Sequence, residues 1–351
     1  PRFDWIRYNE PEAHLDALVE RLITLPGISK TSSIGAISFN DDSLLRRFRE
    51  RGFERTWRLA QKEDLEITAP NAGVESVQNK FRPAFMESVR NQYGQPDLLL
   101  ARMILEHTSE PAGFLQALRQ WIGPSGRVVF DVPDCSRAFD RCDYTTLWEE
   151  HTLYFVEETF RRVLERSGFA VEWLECFQGP YENCLVALAH PASAVETALE
   201  AEDVEPELAQ AARFAGSFAK RREAVRSALA PWQQHGRIAL FGAGHQSVMF
   251  LNLMDLSEAV EFVVDDHPQK SGRRMPGSRL PIVSSTALYS HDIKLCLSSL
   301  GAESELKVIA KHQQFVQQGG VFASIFPVQP DSIFRPLAGS VVERNGQLFP
   351  S

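Results

Sequence analysis

The chain has 351 residues, of which 44% are apolar and 24% charged, so intrinsic disorder as its main state is excluded. The 37 Lys and Arg residues against 46 Asp and Glu residues give a net charge of −9, which disfavours nonspecific binding to nucleic acid or to an anionic membrane. No apolar run approaches the roughly 20 residues of a membrane span, and Pro1 to Asn9 lacks a signal-peptide pattern. These features predict a cytoplasmic protein of two or three domains with small-molecule partners.

The first half of the chain alternates short apolar runs with amphipathic helical patterns, which is typical of parallel strands joined by helices. Helices are predicted at Glu10–Leu25, Ser43–Arg51, Pro111–Ile122 and Glu157–Ser167, and strands at Ser33–Phe39, Phe53–Leu59, Asp97–Leu105 and Arg127–Val132. Two further strands, Val171–Cys176 and Asn183–Ala189, flank the turn dipeptide Gly179-Pro180. They predict an antiparallel hairpin at one edge of the sheet.

The segment from Ala192 to Trp232 is rich in Ala, Glu, Arg and Leu and predicts a helical connector. A second α/β pattern follows it. Its strands are predicted at Arg237–Phe241, Val260–Val264, Lys294–Leu300 and Val321–Ile325, and its helices at Ser247–Leu253 and Ser304–Gln318. The sequence therefore predicts two layered α/β domains, at residues 1–191 and 235–351, joined by a connector at 192–234.

A glycine turn, Gly242-Ala243-Gly244-His245, stands between a predicted strand and a predicted helix. Gly242 allows a tight turn and Gly244 a close approach of a ligand to the backbone, and Asp265 after the next strand is placed to bond ribose hydroxyls. The following loop, 265–282, carries Lys270 and Arg273, which suit a phosphate or diphosphate. The alternatives are a turn that only packs a strand on a helix and a solvated basic loop.

Three segments together resemble the sugar C-methyltransferases. They are the glycine turn, the loop of the form D-x-x-P-x-K-x-G-x-x-x-P-G-x-x-x-P-I at Asp265–Ile282, and the run Leu147-Trp148-Glu149-Glu150-His151-Thr152-Leu153-Tyr154-Phe155. The resemblance implies a class I methyltransferase domain of Rossmann-like fold, followed by a second Rossmann-like α/β domain. It also implies S-adenosylmethionine as cofactor and methylation of a carbon of a nucleotide-linked keto-deoxysugar.

The resemblance also implies which residues bind the sugar nucleotide and what is missing. Substrate contacts are expected from Tyr181, Asn183, Gly242, Gly244, His245, Asp265, Lys270 and Arg273. Members of the family usually begin with a cysteine-rich zinc module, whereas the five cysteines here include no C-x-x-C pair. No metal site is therefore expected.

The family's cofactor-binding turn, approximately E-I-G-S-N-D-G, aligns with Ala36-Ile37-Ser38-Phe39-Asn40-Asp41-Asp42, which has neither glycine. By the resemblance, Ser38, Asn40 and Asp41 are the remaining cofactor contacts in this turn, with Glu106 and His107 after a later strand. Side chains at the glycine positions predict weaker cofactor binding, because glycine alone adopts positive φ cheaply. The second strand ends at Leu59-Ala60-Gln61, without the usual ribose-binding Asp, for which Glu63 or Asp64 is a substitute.

The family's catalytic run Y-H-E-H aligns with Trp148-Glu149-Glu150-His151. The resemblance makes His151 the base that removes a proton from the carbon beside a ketone, with Glu150 orienting its ring and Glu149 in place of the first His. An imidazole suits that role because it accepts a proton near neutral pH. The alternative is a solvated loop or helix start.

Two other functions stay open from the sequence. One is a cofactor-free relative that binds a nucleotide sugar through its second domain, which the loss of both turn glycines favours. The other is an NAD-dependent oxidoreductase that uses the Gly242 turn.

Overall fold

The structure, a computed structural model, describes residues 12–69, 72–179, 182–193, 204–327, 329, 331–334, 343–344 and 347–348. The described residues form two compact units. Of the described residues, the N-terminal unit contains those from 12 to 136 together with those of Glu149–Glu207, and the C-terminal unit contains Arg137–Trp148 and those from Leu208 onward. Arg137–Trp148, which the sequence placed in the first domain, joins the C-terminal unit through contacts such as the bond from the Tyr144 hydroxyl to the Phe214 carbonyl at 2.6 Å.

The N-terminal unit is a mixed α/β layer. Its helices are α1 Leu15–Ile23, α2 Asp42–Glu50, α3 Val74–Gln78, α4 Pro83–Tyr93 and α5 Pro111–Ile122, with α6 Ser136–Arg141 at the unit boundary and α7 Glu157–Arg166 after it. Its strands are β1 Ile34–Ala36, β2 Thr56–Arg58, β3 Leu98–Arg102, β4 Arg127–Asp134, β5 Phe169–Phe177 and β6 Asn183–Pro191. Two 3-10 turns, Phe39–Asp41 and Leu105–His107, follow β1 and β3.

The six strands have the order β2-β1-β3-β4-β6-β5. The first four are parallel, and β6 runs antiparallel between β4 and β5, with Phe130 opposite Ala187 and Ala187 opposite Leu174. This order, with its reversed strand near one edge, is a class I methyltransferase sheet, so the predicted fold class is confirmed. The edge hairpin predicted from Gly179-Pro180 is also confirmed, as β5 and β6.

Alternation along each strand divides the N-terminal core into two layers. Leu98 and Leu100 of β3 face the layer formed with α1 and α2, whereas Leu99 and Ala101 face the layer formed with α5 and α7. All four side chains are fully buried, because helices cover both faces of the parallel strands. Functional groups of this unit are therefore expected at the carboxyl ends of the strands.

The C-terminal unit is a second parallel α/β layer. Its strands are β7 Arg237–Phe241, β8 Phe262–Val264, β9 Ile282–Val283, β10 Ile293–Ser298 and β11 Val321–Ser324, and a two-stranded ladder joins β12 Glu343–Arg344 to β13 Gln347–Leu348. Its helices are α8 Glu205–His235, α9 His245–Leu253, α10 Ala302–Lys311 and α11 Gln313–Gln317. The sheet order β11-β10-β7-β8-β9 reverses direction between β7 and β10, which is where open α/β sheets bind ligands.

Several predicted elements differ from the structure in their bounds, and three helical segments are described here. The leading helix begins at Leu15 rather than Glu10, and residues 10 and 11 of that prediction lie outside the described part. The single helix predicted at Ser304–Gln318 is two helices, because the backbone of His312 leaves the helical region at φ −109°, ψ 34°. The connector is helical from Glu205 onward, and its predicted start at 194–203 is not among the described residues.

Candidate functional site

The turn after β1 is shaped by Asp41, whose carboxylate is fully buried. It accepts backbone N–H bonds from Ile37, Ser38 and Arg102 at 3.1, 2.9 and 2.9 Å. Burial raises the pKa of Asp41 to about 6. The three hydrogen bonds favour the ionised form and lower the pKa, but burial has the larger effect. Asp41, predicted as a cofactor contact, therefore acts as the internal brace of the turn.

The residues that replace the two glycines cause no backbone strain in this turn. Ser38 has an extended backbone at φ −133°, ψ 174°, and its hydroxyl accepts the N–H of Asn40 at 3.2 Å, capping the 3-10 turn. No residue from 37 to 42 has a positive φ. This turn therefore has no left-handed residue, because a hydroxyl cap and a buried carboxylate hold its backbone, and weaker cofactor binding stays a prediction. Phe39 is 39% exposed and packs in none of the apolar clusters of the described chain.

A buried ion pair supports the same turn from the sheet. Arg102 at the end of β3 donates to the carboxylate of Asp131 at 2.7 Å and to the carbonyl of Asn40 at 2.6 Å. His14 lies 3.0 Å from the same Asp131 oxygen. Burial alone would raise the pKa of Asp131, but Arg102 and His14 more than offset it and hold the pKa below its usual range. Asn40 remains half-buried, and its side-chain amide donates to the Met103 carbonyl.

The end of β2 offers a group that the sequence reasoning missed. The Nε2 atom of Gln61 is buried, and no described residue accepts a hydrogen bond from it. Asp64, proposed as a substitute for the ribose-binding residue, is instead engaged by the Ala60 N–H at 2.6 Å and the Tyr93 hydroxyl at 2.7 Å. Gln61 is the third residue after β2, and its place beyond that strand was the only signal that could have identified it.

The 3-10 turn after β3 brings together residues predicted for two different roles. Ligand-type atoms of Glu106, His107 and His151 all lie within 4.8 Å of one another. The His107 and His151 rings meet edge to face, with centroids 4.5 Å apart. Glu106 and His107 were predicted to contact the cofactor and His151 to be the base, yet the structure places all three in one cluster. Glu106 is 2% exposed and His151 is half-buried.

Backbone hydrogen bonds fix this cluster. The N–H groups of Thr152 and Leu153 donate to the Glu106 carbonyl at 2.8 and 3.1 Å, and the Thr152 hydroxyl donates to the Thr108 carbonyl at 2.6 Å. The loop that carries His151 is thereby tied to the 3-10 turn that carries His107. These bonds therefore keep the backbone of His151 close to that of His107.

Two further carboxylates of the cluster come from α3 and the catalytic run. Side-chain ligand atoms of Glu75, His107 and Glu150 lie within 4.8 Å of one another. Glu150, predicted to orient His151, thus also approaches His107 and Glu75. Glu149, the third predicted catalytic residue, is exposed and belongs to neither group.

Asn183, one of the two substrate residues predicted in the N-terminal unit, begins β6. Asn183 is buried, its amide donates to Asp134 at 3.2 Å, and its side-chain oxygen accepts the Gly179 N–H at 3.3 Å. Asn183 thus shapes the turn between the two strands. Tyr181 lies outside the described residues.

In the C-terminal unit, Asp265 holds the glycine turn. Its carboxylate accepts the Ala243 N–H at 2.9 Å and the Lys270 ammonium at 2.8 Å, with both charged side chains largely buried. Gly242 has φ +102°, a conformation that favours glycine. Asp265 and Lys270 were predicted to bind ribose and phosphate, and here they pair with each other under the turn.

The open side of the same turn is formed by Gly244 and His245. A Cβ atom on Gly244 would meet no atom within 4 Å, so this backbone is accessible at the start of α9. His245 is buried, stacks on Trp148 with ring centroids 3.3 Å apart, and lies 2.8 Å from the Leu147 carbonyl. Arg273 is exposed, and its guanidinium donates to the Gln269 carbonyl.

None of the helices in the described part of the chain is long and apolar enough to cross a membrane.

Comparisons with known proteins agree on one kind of chemistry. A family model for the C-methyltransferase C-terminal domain matches residues 186–327, and one for a methyltransferase domain matches residues 58–173. The C-methyltransferase NovU of Streptomyces niveus is 24% identical over 340 residues, covering 90% of this chain and 77% of NovU.

Solved structures also align with about half of this chain. The 1,6-didemethyltoxoflavin-N1-methyltransferase of Burkholderia thailandensis is 13% identical, covers 52% of this chain and 78% of its own, and has a TM-score of 0.34. An S-adenosylmethionine-dependent methyltransferase from Clostridium acetobutylicum is 7% identical, with 52% and 94% coverage and a TM-score of 0.34.

Proposed function

Because the chain belongs to the S-adenosylmethionine-dependent C-methyltransferase family, we propose that it methylates a carbon beside the ketone of a nucleotide-linked keto-sugar, with His151 as the base. The observation that carries this proposal is the convergence of Glu106, His107 and His151 at the carboxyl end of β3. S-adenosylmethionine, the cofactor of this family, supplies an electrophilic methyl group when it is bound.

The residues present fit this cofactor. The buried, unpartnered Nε2 of Gln61 is suited to a ribose hydroxyl at the end of β2, because a buried N–H without an acceptor is costly unless a ligand supplies one. Ser38 and Asn40 of the turn after β1 would lie against the methionine part. Asp41 would contribute by holding that turn rather than by contact.

The chain's contribution to the reaction is to take and hold a proton. His151 would remove the proton from the carbon next to the ketone, giving an enolate. The buried carboxylate of Glu106, within 4.8 Å of both imidazole rings, would stabilise the imidazolium that forms. The hydrogen bonds from the Thr152 and Leu153 N–H groups to the Glu106 carbonyl hold this loop in place before substrate binds. This lowers the entropic cost of orienting the base in the reaction.

The C-terminal unit supports the nucleotide-sugar part of the proposal. Gly244 leaves backbone accessible at the start of α9, at the point where the sheet order reverses between β7 and β10. A helix start with an accessible backbone suits a diphosphate. His245, the next residue in the chain after Gly244, and Arg273 of the 265–282 loop are the further candidates for contact with such a diphosphate.

Deuterium exchange tests the base directly. A nucleotide-linked keto-deoxysugar is incubated in D₂O with the protein and no S-adenosylmethionine, and loss of the proton beside the ketone is followed by NMR. We expect exchange with the wild type and at least a hundredfold slower exchange with His151→Asn. His190→Asn, a half-buried histidine of β6, is the matched control. Equal exchange by His151→Asn and wild type would contradict the proposal.

A second function, nucleotide-sugar binding without methyl transfer, is favoured by one observation. The turn after β1 satisfies its own N–H groups through Ser38 and Asp41. Calorimetry separates the two functions. Micromolar binding of S-adenosylmethionine supports the enzyme, whereas sugar-nucleotide binding alone supports the non-catalytic relative.

A further inference from the structure

Five ionisable side chains meet at the carboxyl end of β3. They are Glu75, Glu106, His107, Glu150 and His151, and they form two overlapping groups of three that share His107. Within each group one ligand-type atom per residue lies within 4.8 Å of the other two. Sets that combine imidazole and carboxylate ligands are typical of divalent metal sites. We propose that Glu75, His107 and Glu150 bind a divalent metal ion.

The three ligands come from three different elements. Glu75 is on α3, His107 ends the 3-10 turn after β3, and Glu150 is on the loop that the Thr152 and Leu153 N–H groups tie to the Glu106 carbonyl. Residues from separate elements can converge on one point from different directions. The backbone ties hold two of these elements together, so the site is largely formed before an ion binds.

Glu75, His107 and Glu150 are a better set than Glu106, His107 and His151. Glu106 and His107 are consecutive, and Nε2 of His107 is 4.0 Å from the nearer Glu106 oxygen. Consecutive side chains diverge from the backbone, which makes it difficult for both to reach one ion. Glu106 is also 2% exposed, whereas Glu75 and Glu150 are half-buried, so the proposed set leaves a route for the ion and room for further ligands.

Two carboxylates and one imidazole favour an ion of the Mn²⁺ or Zn²⁺ class. Metal–ligand bonds of about 2.0–2.2 Å place neighbouring ligand atoms about 3–3.5 Å apart. The three ligand atoms, which now lie within 4.8 Å of one another, would have to approach to this spacing when the ion binds. Three protein ligands leave coordination positions for water or substrate.

The ion would serve the methyl transfer, and this part of the inference rests on the proposed function. A cation next to His151 can bind the ketone oxygen of the substrate and draw electron density from it. The neighbouring C–H then gives up its proton to His151 more readily. His151 stays outside the metal set and remains the base.

Mn²⁺ binding to the full chain tests the site, because Mn²⁺ prefers oxygen and nitrogen ligands over the thiolate of the separate His14, Asp131 and Cys184 group. Binding is followed by loss of the free-ion EPR signal and by calorimetry. We expect one ion per chain, with affinity reduced at least tenfold in Glu75→Gln and in Glu150→Gln. Glu87→Gln, an exposed residue of α4, is the matched control and should bind as wild type.

Two arms make the test decisive. His151→Ala should keep Mn²⁺ affinity within about threefold of wild type, and loss of binding there would assign the ion to the other set and overturn the proposal. Absence of binding to the wild type at about 1 mM Mn²⁺, or unchanged binding in Glu75→Gln and Glu150→Gln, would also overturn it. Circular dichroism of each variant checks that it is folded. Metal binding without deuterium exchange would count against the proposed function alone.

Discussion

Asp41, in the turn after β1, and Arg102, at the end of the neighbouring strand β3, are joined by hydrogen bonds in both directions. The Asp41 carboxylate accepts the backbone N–H of Arg102 at 2.9 Å, and the Arg102 guanidinium donates to the carbonyl of Asn40, the residue before Asp41, at 2.6 Å. Both side chains are at most 1% exposed. The turn where the family has glycines is therefore held by buried polar groups.

The first prediction concerns this brace. Asp41→Ala removes the acceptor of three backbone N–H groups and leaves them buried without partners, so we expect a loss of about 3 kcal/mol of unfolding free energy. Urea unfolding measures it. Asp42→Ala is the control, because the exposed Asp42 carboxylate forms only a surface ion pair with Arg58 and should cost less than about 1 kcal/mol. Equal losses in the two variants would contradict the role of Asp41.

The second prediction concerns pH. Because burial raises the pKa of Asp41 to about 6, above its unfolded value of about 3.9, the folded state binds the proton more tightly. Protonation of Asp41 therefore contributes to the free energy of unfolding. This contribution, roughly 3 kcal/mol in total, is fully present below the unfolded pKa and is lost as pH rises through about 6. Asp41→Asn lacks this titration. The stability of the wild type relative to Asp41→Asn should therefore fall between about pH 4 and pH 7, as urea unfolding at several pH values will show. A constant difference would refute it.

The third prediction concerns the ion pair below the turn. Arg102→Met leaves the buried Asp131 carboxylate without its cation, and we expect a loss of about 3–5 kcal/mol of unfolding free energy. Arg46→Met, which breaks an exposed pair with Glu50, should cost less than about 0.5 kcal/mol. Thermal and urea unfolding of both variants give the comparison. A loss below about 1 kcal/mol in Arg102→Met would mean that Asp131 is neutral in the folded protein.

The fourth prediction separates the two glycines of the C-terminal turn. Gly242→Ala should cost about 2 kcal/mol, because φ is +102° and the added Cβ atom would come within 2.6 Å of the Ser299 hydroxyl. Gly244→Ala should leave stability within about 0.5 kcal/mol, since φ is −108° and the space is open. If this turn binds the diphosphate, Gly244→Ala should nevertheless weaken nucleotide-sugar binding in calorimetry. Unchanged affinity would remove Gly244 from the ligand site.

The fifth prediction concerns Gln61. Gln61→Leu removes the unpartnered N–H at the end of β2, and we expect S-adenosylmethionine to bind about tenfold more weakly, with nucleotide-sugar binding unchanged. Lys62→Met, the exposed neighbour, is the control. Isothermal titration calorimetry measures both ligands. Wild-type cofactor affinity in Gln61→Leu would show that Gln61 does not contact the ribose.

Local signals were enough for much of the fold. The predicted bounds of the helix Pro111–Ile122 and of the strand Arg237–Phe241 agree with the structure. A proline marks the start of the helix, and a glycine follows the last residue of both elements. The helices Val74–Gln78 and Pro83–Tyr93 were not predicted, although Pro83 and Gly94 mark the start and end of the second.

The candidate site was harder to predict than the fold. His107 and His151 were both singled out, but in different roles, because 44 positions of sequence say nothing about their 4.5 Å ring separation. Arg102 was missed altogether. A single arginine at the end of an apolar strand does not indicate in the sequence that Asp131 on the neighbouring strand is its buried partner.

The braced turn also constrains how this protein can change. Returning glycine to position 38 would remove the hydroxyl that caps the 3-10 turn, and the buried Asp41 and Arg102 would stay behind with their desolvation cost. Because Ser38, Asp41 and Arg102 share one hydrogen-bond network, the cost of replacing any one of them depends on whether the other two are present. This turn is therefore a case of epistasis among buried polar residues.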